Sequence, residues 1–242
     1  MYRALEPQAI LSTCERLSAR ISERFPDSGL SKVGAELLQL AHESTADLEK
    51  LQKPNWPVRI GVGLMALVVL AAVIGLAGSI GGIDPHIRLF ELLQAVESAV
   101  NDIVFIGIAI YFLLTLERRI KRRAALRSLH RLRSVAHVID MHQLTKDPER
   151  LLSPAMATPS SPQRTMTRFE LARYLDYCSE LLSITSKLAA LYLQHLDDSQ
   201  VLNSVNDIQT LTGGLSAKIW QKIVIIDTVA MRADDAAYPS AR

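Results

Sequence analysis

A long stretch without a charged side chain, residues 60–83, restricts the fold of this chain more than any other feature, and one serine is its only polar residue. About 20 apolar residues in a helix, rising ~1.5 Å per residue, are enough to cross the hydrocarbon core of a bilayer. Trp56 precedes the stretch at interface depth, and Arg59 can extend its charge to the headgroups. Pro54 and Pro57 are expected to break the chain before it. The pattern predicts a transmembrane helix.

A second, shorter charge-free run covers residues 103–116. A run of this length alone also fits the core helix of a soluble protein. Extended back to Ala95 it becomes long enough to span, and Glu97, Asn101 and Asp102 then lie near the outer interface. Because it follows one clear span and precedes a basic cluster, we interpret it as the returning helix of a hairpin.

The distribution of basic residues predicts the orientation of this hairpin. The joining segment, residues 84–100, has a single basic residue, Arg88, and its amphipathic section, residues 86–93, is expected to lie along the outer membrane surface. Eight basic residues follow the second span: Arg118, Arg119, Lys121, Arg122, Arg123, Arg127, Arg131 and Arg133. Short loops rich in Lys and Arg stay cytoplasmic, so both termini are expected in the cytosol of a bacterial cell, with the loop outside.

The basic residues nearest the second span are interpreted as membrane-facing. They are predicted to set the topology and to contact anionic lipid, each contributing ~1 kcal/mol near the surface. These residues are Arg118, Arg119, Lys121, Arg122 and Arg123. Nucleic acid is not expected as a partner, because no aromatic residue is interleaved with the basic ones.

Periodic apolar stripes outside the two runs predict an all-α fold, in which the hairpin carries a cytosolic helical bundle or coiled-coil-like domain. One stripe has 4-3-4 spacing in a first helix that begins near Glu6-Pro7, and a second helix is expected over residues 31–51. The others occupy the helix after the second span, a helix opened by a capping box at Thr167 and Glu170, and a last helix that continues through Gly213-Gly214. Both cysteines, Cys14 and Cys178, fall on such stripes and are expected to pack as small hydrophobes.

These elements divide the chain into six parts. We expect N-terminal cytosolic helices over 1–57, the hairpin with its short external loop over 58–117, a basic cytosolic helix continuing the second span over 118–147, a Pro- and Ser-containing linker over 148–166, a C-terminal helical hairpin over 167–232 and a tail over 233–242. No cleavable signal is expected, since a polar-patterned segment precedes the first apolar run.

Few residues suggest chemistry. His137 and Asp140 share a helix face and are weak candidates for two ligands of a metal site completed by another subunit; the alternative is a pair of solvated or interhelical polar residues. A nucleotide loop, a nucleophile elbow and a paired zinc motif are all missing from the sequence. We therefore predict that the protein is not an enzyme and expect no cofactor.

Two groups inside the hairpin have alternative interpretations. Gly75, Gly78 and Gly82 lie on or near one face of the first span and are candidate contact points for a second helix, although glycine is also common in membrane helices. Asn101 and Asp102 are a candidate pore mouth, because ionisable groups at membrane depth are often functional. The alternative is that they lie at the membrane interface, where a charged side chain costs little free energy.

The stretch AHVIDMHQLTKDP, residues 136–148, resembles one found in uncharacterised bacterial inner-membrane proteins with two transmembrane helices. The layout is also similar to that of the two-helix membrane effectors of bacterial conflict systems. The expected function is a membrane-anchored helical interaction or signalling module in the inner membrane, which binds a protein partner or self-associates through its cytosolic helices. The alternative is an oligomeric two-helix effector or an ion-conducting pore.

Overall fold

The computed structural model describes residues 4–80, 89–146, 148 and 166–237, and within these ranges it contains helices and no strand. This confirms the predicted all-α class for the described part of the chain. The helices are α1 (Pro7–Arg24), α2 (Gly29–Gln52), α3 (Trp56–Ile80), α4 (Leu89–Leu144), α5 (Arg168–Leu191), a 3₁₀ turn (Tyr192–Gln194) and α6 (Ser199–Ala237).

The chain forms two compact units. The helical unit combines Met1–Lys50 with Ala124–Arg242, and the apolar unit is Leu51–Arg123. The helical unit is therefore built from two segments that are separated in sequence by the whole of the apolar unit.

The core of the helical unit consists of the apolar stripes that the sequence predicts. On α1 the stripe is Ile10, Cys14, Leu17 and Ile21, and all four residues are buried. Because the stripes recur at 3.6-residue periodicity, each helix presents one continuous apolar face to its neighbours. The stripe residues buried on the other helices of this unit are Val33, Leu37, Leu40, Ala41, Leu48, Ala125, Leu129, Leu132, Ala136, Ile139, Leu171, Leu175, Cys178, Leu182, Val201, Val205, Ile208, Thr212, Leu215, Ile219 and Ile226.

Polar side chains begin the last two helices. Thr167 and Glu170 form the predicted capping box, in which the Thr167 hydroxyl accepts from the Glu170 amide at 3.2 Å and the Glu170 carboxylate accepts from the Thr167 amide at 2.7 Å. Asp198 accepts from the amides of Gln200 and Val201 at 3.0 and 3.3 Å. These bonds satisfy amides that have no partner inside the helix, which explains where α5 and α6 start.

The last helix continues through Gly213-Gly214 as predicted, and it runs on to Ala237. The tail is expected from residue 233 onward, so the helix is longer than the sequence pattern predicts. Residues 238–242 and most of the predicted linker lie outside the described residues.

The start of α4 corrects the interpretation of the joining segment. The helix begins at Leu89 and not at Ala95, so residues 89–93 of the amphipathic section belong to the same helix as the second apolar run. Neither Gly nor Pro occurs between Leu89 and the run, so nothing interrupts the hydrogen-bond ladder there. The helix ends at Leu144, ahead of Pro148 as predicted, since a proline disfavours helical geometry in the residue before it.

Candidate membrane-anchoring site

The apolar side chains of α3 lie outside any protein core. Ile60, Leu64, Leu67 and Ile74 are each more than 60% exposed. These four positions lie on one side of the helix, and Val62, Met65 and Val69 on the opposite side are half-exposed, so no side of α3 is buried over residues 60–71. A helix that is apolar all round and has no protein covering it is typical of a helix surrounded by an apolar medium. By length and composition, two helices in the described part of the chain can cross a membrane, and their most apolar windows are not covered by protein.

The apolar side chains of the second run also lie outside any protein core. On α4, Ile103, Phe105, Ile108 and Tyr111 are all at least 60% exposed. In water this surface would remain solvated at a cost of about 25 cal/mol per Å² of apolar area, whereas lipid would cover it. The two runs together form a large exposed apolar surface, the feature that marks a membrane or partner contact.

Glu117 joins the two runs at one end. Its carboxylate accepts from the backbone amide of Asn55 at 3.4 Å and pairs with Arg59 at 3.7 Å and with Lys121 at 3.0 Å. The beginning of α3 therefore lies beside the end of the second run, as a hairpin requires. Sequence reasoning missed this residue, although its position as the first charged residue after the run was a usable signal.

The five basic residues predicted to face lipid follow Glu117 on α4. Arg118, Arg119 and Arg123 are exposed, and the Arg119 guanidinium lies 5.9 Å from the centre of the Phe112 ring. Lys121 is different, because its ammonium is engaged with the Glu117 carboxylate and its side chain is only 20% exposed. Arg122 also has interactions within the protein.

The two other groups predicted in the hairpin are placed only in part. Gly75 and Gly78 lie in the last turns of α3, whereas Gly82 is outside the described residues. Asn101 and Asp102 are exposed on α4, just before the charge-free run. Helix contact at the glycines and a pore mouth at the two polar residues stay predictions.

The polar cluster near the end of α4 lies in the helical unit. His137 is exposed, while the Asp140 carboxylate accepts a hydrogen bond from the Gln143 side-chain amide at 2.6 Å. The His142 ring packs against Gly29 of α2. In the described ranges, no group of three or more His, Cys, Asp and Glu side chains is arranged to hold a metal ion. The pair His137 and Asp140 therefore stays a prediction that depends on ligands from another molecule.

A second polar network, which the sequence analysis did not find, joins α2 to α4 within the helical unit. The Arg131 guanidinium pairs with Glu43 and lies 3.9 Å from the Asp47 carboxylate, which accepts from the Ser128 hydroxyl at 3.1 Å. The pKa of Glu43 is lowered because the Gln39 amide and the Arg131 guanidinium donate to its carboxylate. Asp47, Ser128 and Arg131 also line an open groove of about 730 Å³. The network stabilises the packing of α2 against α4.

Tyr192 lies next to this network and is fully buried. Burial raises the pKa of its phenol, and the nearby hydroxyls of Ser128 and Ser44 offset that effect only in part. Among the described residues, none forms a hydrogen bond of acceptable geometry with the Tyr192 hydroxyl. An unpaired buried hydroxyl is costly, and the packing of the buried ring offsets that cost unless a polar group reaches the hydroxyl.

Comparison with known proteins found no matching family model, no similar curated protein and no similar solved structure.

Proposed function

We propose that this protein is an integral membrane protein of the bacterial inner membrane that anchors a cytosolic helical interaction or signalling module and is not an enzyme. The observation that carries the proposal is the contrast between the two units. The helical unit has a complete buried core, whereas α3 keeps Leu64 and Leu67 more than 60% exposed. A bilayer covers such a surface, and the helical unit is left free to bind a partner or a second copy.

The helical unit is built from two separate segments of the chain, and this supports an even number of membrane crossings. Its two segments, Met1–Lys50 and Ala124–Arg242, lie on either side of the apolar runs in sequence and share one core. Segments that pack together must be on the same side of the bilayer. The basic residues after the second run favour the cytosolic side, and Arg118 and Arg119 are exposed for contact with anionic headgroups.

Thiol labelling in intact cells tests the topology. Ser98 and Ser134 are exposed on α4, before and after the second run, and each is replaced by cysteine in turn. Cys14 and Cys178 are both buried, so the unmodified protein serves as the unlabelled control. We expect a membrane-impermeant reagent to label Ser98→Cys in intact cells and Ser134→Cys only after lysis. The reverse pattern contradicts the orientation, and labelling of both contradicts the hairpin.

Neutralising the basic residues tests their contact with lipid. Arg118, Arg119, Arg122 and Arg123 are changed together to Gln, which keeps the side chains polar while removing four charges. We expect a mixed topology and less co-purified anionic lipid, because the surface potential acts within a Debye length of ~8 Å. If both topology and lipid are unchanged, the basic residues serve another purpose.

The second candidate function is an oligomeric effector or ion-conducting pore, which the exposure of Asn101 and Asp102 favours. Asp102→Asn removes a charge and nearly preserves shape. In a pore it alters ion selectivity, whereas in an anchor it leaves assembly and partner binding intact. We expect no wild-type conductance in liposomes. A reproducible conductance whose selectivity changes in Asp102→Asn would establish the pore and refute the anchor.

Helix association is tested separately at the predicted glycine contacts. Gly82→Leu adds a side chain where close approach of two helices is predicted. We expect a shifted oligomer distribution or a lower unfolding temperature in detergent, with Gly61→Leu as the control, because open space surrounds Gly61 in the structure. If the two variants have the same oligomer distribution and the same unfolding temperature, Gly82 is not a helix contact.

A further inference from the structure

A small cavity between α1 and α5 brings three arginines together within the helical unit. Its volume is about 330 Å³, and its lining consists of Arg20, Glu23, Arg24, Arg173 and Tyr177. Three of the five lining residues are permanently cationic, and one is acidic. Arginine guanidiniums present planar pairs of N–H donors that match the oxygens of a phosphate or carboxylate group.

Tyr177 fixes the position of two of these guanidiniums. Arg20 and Arg173 each lie 5.8 Å from the centre of the Tyr177 ring. The ring itself is buried and is held edge-on against Phe25, with ring centres 6.2 Å apart. Both guanidiniums are thus held beside one buried ring that lines the cavity.

The protein's own acids leave at least one donor of this cluster unused, the Nε–H of Arg173. Arg20 pairs with Glu180 at 2.7 Å, and Arg173 pairs with Asp176 at 3.0 Å, each through a terminal nitrogen. The Nε atom of Arg173 is buried, and no acceptor for it exists among the described residues. A buried N–H without an acceptor is costly, so the cavity lacks a hydrogen-bond acceptor that a bound anion could supply. The Arg24 guanidinium stacks on the ring of Phe169 at 5.5 Å.

We propose that this cavity binds inorganic phosphate as the monohydrogen phosphate ion. Arg20, Arg24 and Arg173 supply the charge and the N–H donors, and the Nε atom of Arg173 gains its missing acceptor. Glu23 gives the site its selectivity. Monohydrogen phosphate carries one O–H group that donates to the Glu23 carboxylate, whereas sulfate has no proton to donate and is repelled. The site therefore prefers phosphate to sulfate, although the two ions have similar size and shape.

Binding is measured on the full-length protein in detergent, by calorimetric titration with inorganic phosphate and with sulfate at constant ionic strength. We expect saturable phosphate binding and at least tenfold weaker sulfate binding, which corresponds to the loss of one charge-assisted hydrogen bond. Arg24→Gln and Arg173→Lys should each weaken phosphate binding about tenfold. Arg168→Gln is the matched control, because this exposed arginine of α5 lies outside the cavity lining.

Glu23→Gln separates this proposal from a general attraction of anions. The amide replaces an acceptor with a donor, so sulfate should bind Glu23→Gln about as tightly as phosphate does. Circular dichroism in phosphate-free buffer establishes that each variant is folded. Three results would overturn the proposal: equal binding of the two ions by the unmodified protein, equal loss in Arg168→Gln, or binding to short-chain phosphatidic acid but not to free phosphate.

Discussion

The imidazole ring of His142 lies over Gly29, at the place where any other residue would carry its Cβ atom. Gly29 is the first residue of α2, directly after Ser28, whose hydroxyl accepts from the Ser31 amide at 3.1 Å. The last turn of α4 therefore fits against the start of α2 only because the residue there has no side chain.

Gly29→Ala should lower the free energy of unfolding by about 1 kcal/mol, because the new methyl group forces the ring out of its position. Gly34→Ala in the same helix is the matched control. A Cβ there meets Ile21 at an ordinary 3.6 Å, so this change should be neutral or stabilising. In a His142→Ala background the cost of Gly29→Ala should disappear. A cost that persists in the double variant would show that the ring is not its cause.

Replacing Glu117 by Gln should loosen the junction between α3 and α4. The amide keeps an acceptor for Asn55 but loses the attraction to Arg59 and Lys121, so we expect a loss on the order of 1 kcal/mol. Thermal unfolding in detergent measures it, with Glu97→Gln on the same helix as the exposed control. Equal unfolding temperatures for the two variants would contradict a structural role for Glu117.

Tyr192→Phe should leave the free energy of unfolding unchanged or raise it by up to about 1 kcal/mol. The change removes a buried hydroxyl without a hydrogen-bond partner in the described structure and keeps the ring. Tyr192→Ala removes the ring too and should cost about 3–5 kcal/mol. Chemical denaturation of the three proteins provides the comparison. If Tyr192→Phe is clearly destabilised, the hydroxyl has a hydrogen-bond partner, which is either a nearby hydroxyl of Ser44 or Ser128 or a polar group that the structure does not contain.

The two buried cysteines should react slowly in the native protein. Burial raises the pKa of Cys14 to about 11 and that of Cys178 to about 12, from an ordinary value of 9.0. The reactive thiolate is therefore scarce at neutral pH. A disulfide exchange reagent at pH 8 should modify both thiols only at the rate of unfolding, and free-thiol rates would contradict their burial.

The same shifts give a stability change at high pH. The folded-state pKa values of the two thiols lie above those of the unfolded chain. The contribution of the protonated thiols to the free energy of unfolding is therefore fully present below about pH 9. It is lost as the pH rises to about 11 and 12, where the folded thiols ionise. Cys14→Ala and Cys178→Ala should each reduce the fall in unfolding temperature across this range.

Local patterns in the sequence predicted the helices well and the contacts between them poorly. The spacing of Ile10, Cys14 and Leu17 gave the buried face of α1, because helical periodicity is a property of neighbouring residues. The pairing of Arg20 with Glu180 spans 160 positions and leaves no mark in local spacing. The beginning of α4 was placed too late, at Ala95, because the amphipathic section before it was expected to lie along the membrane surface and not to belong to the same helix.

The order of the chain also constrains how the helical unit is made. Met1–Lys50 leaves the ribosome first, but its packing partners in Ala124–Arg242 are translated only after both apolar runs. Until then the stripe of α1, including Leu17 and Ile21, has no complete core to enter. With the apolar runs inserted in a membrane as proposed, the N-terminal segment waits for that insertion before its core is complete, so we expect newly synthesised chains to depend on chaperones more than the mature protein does.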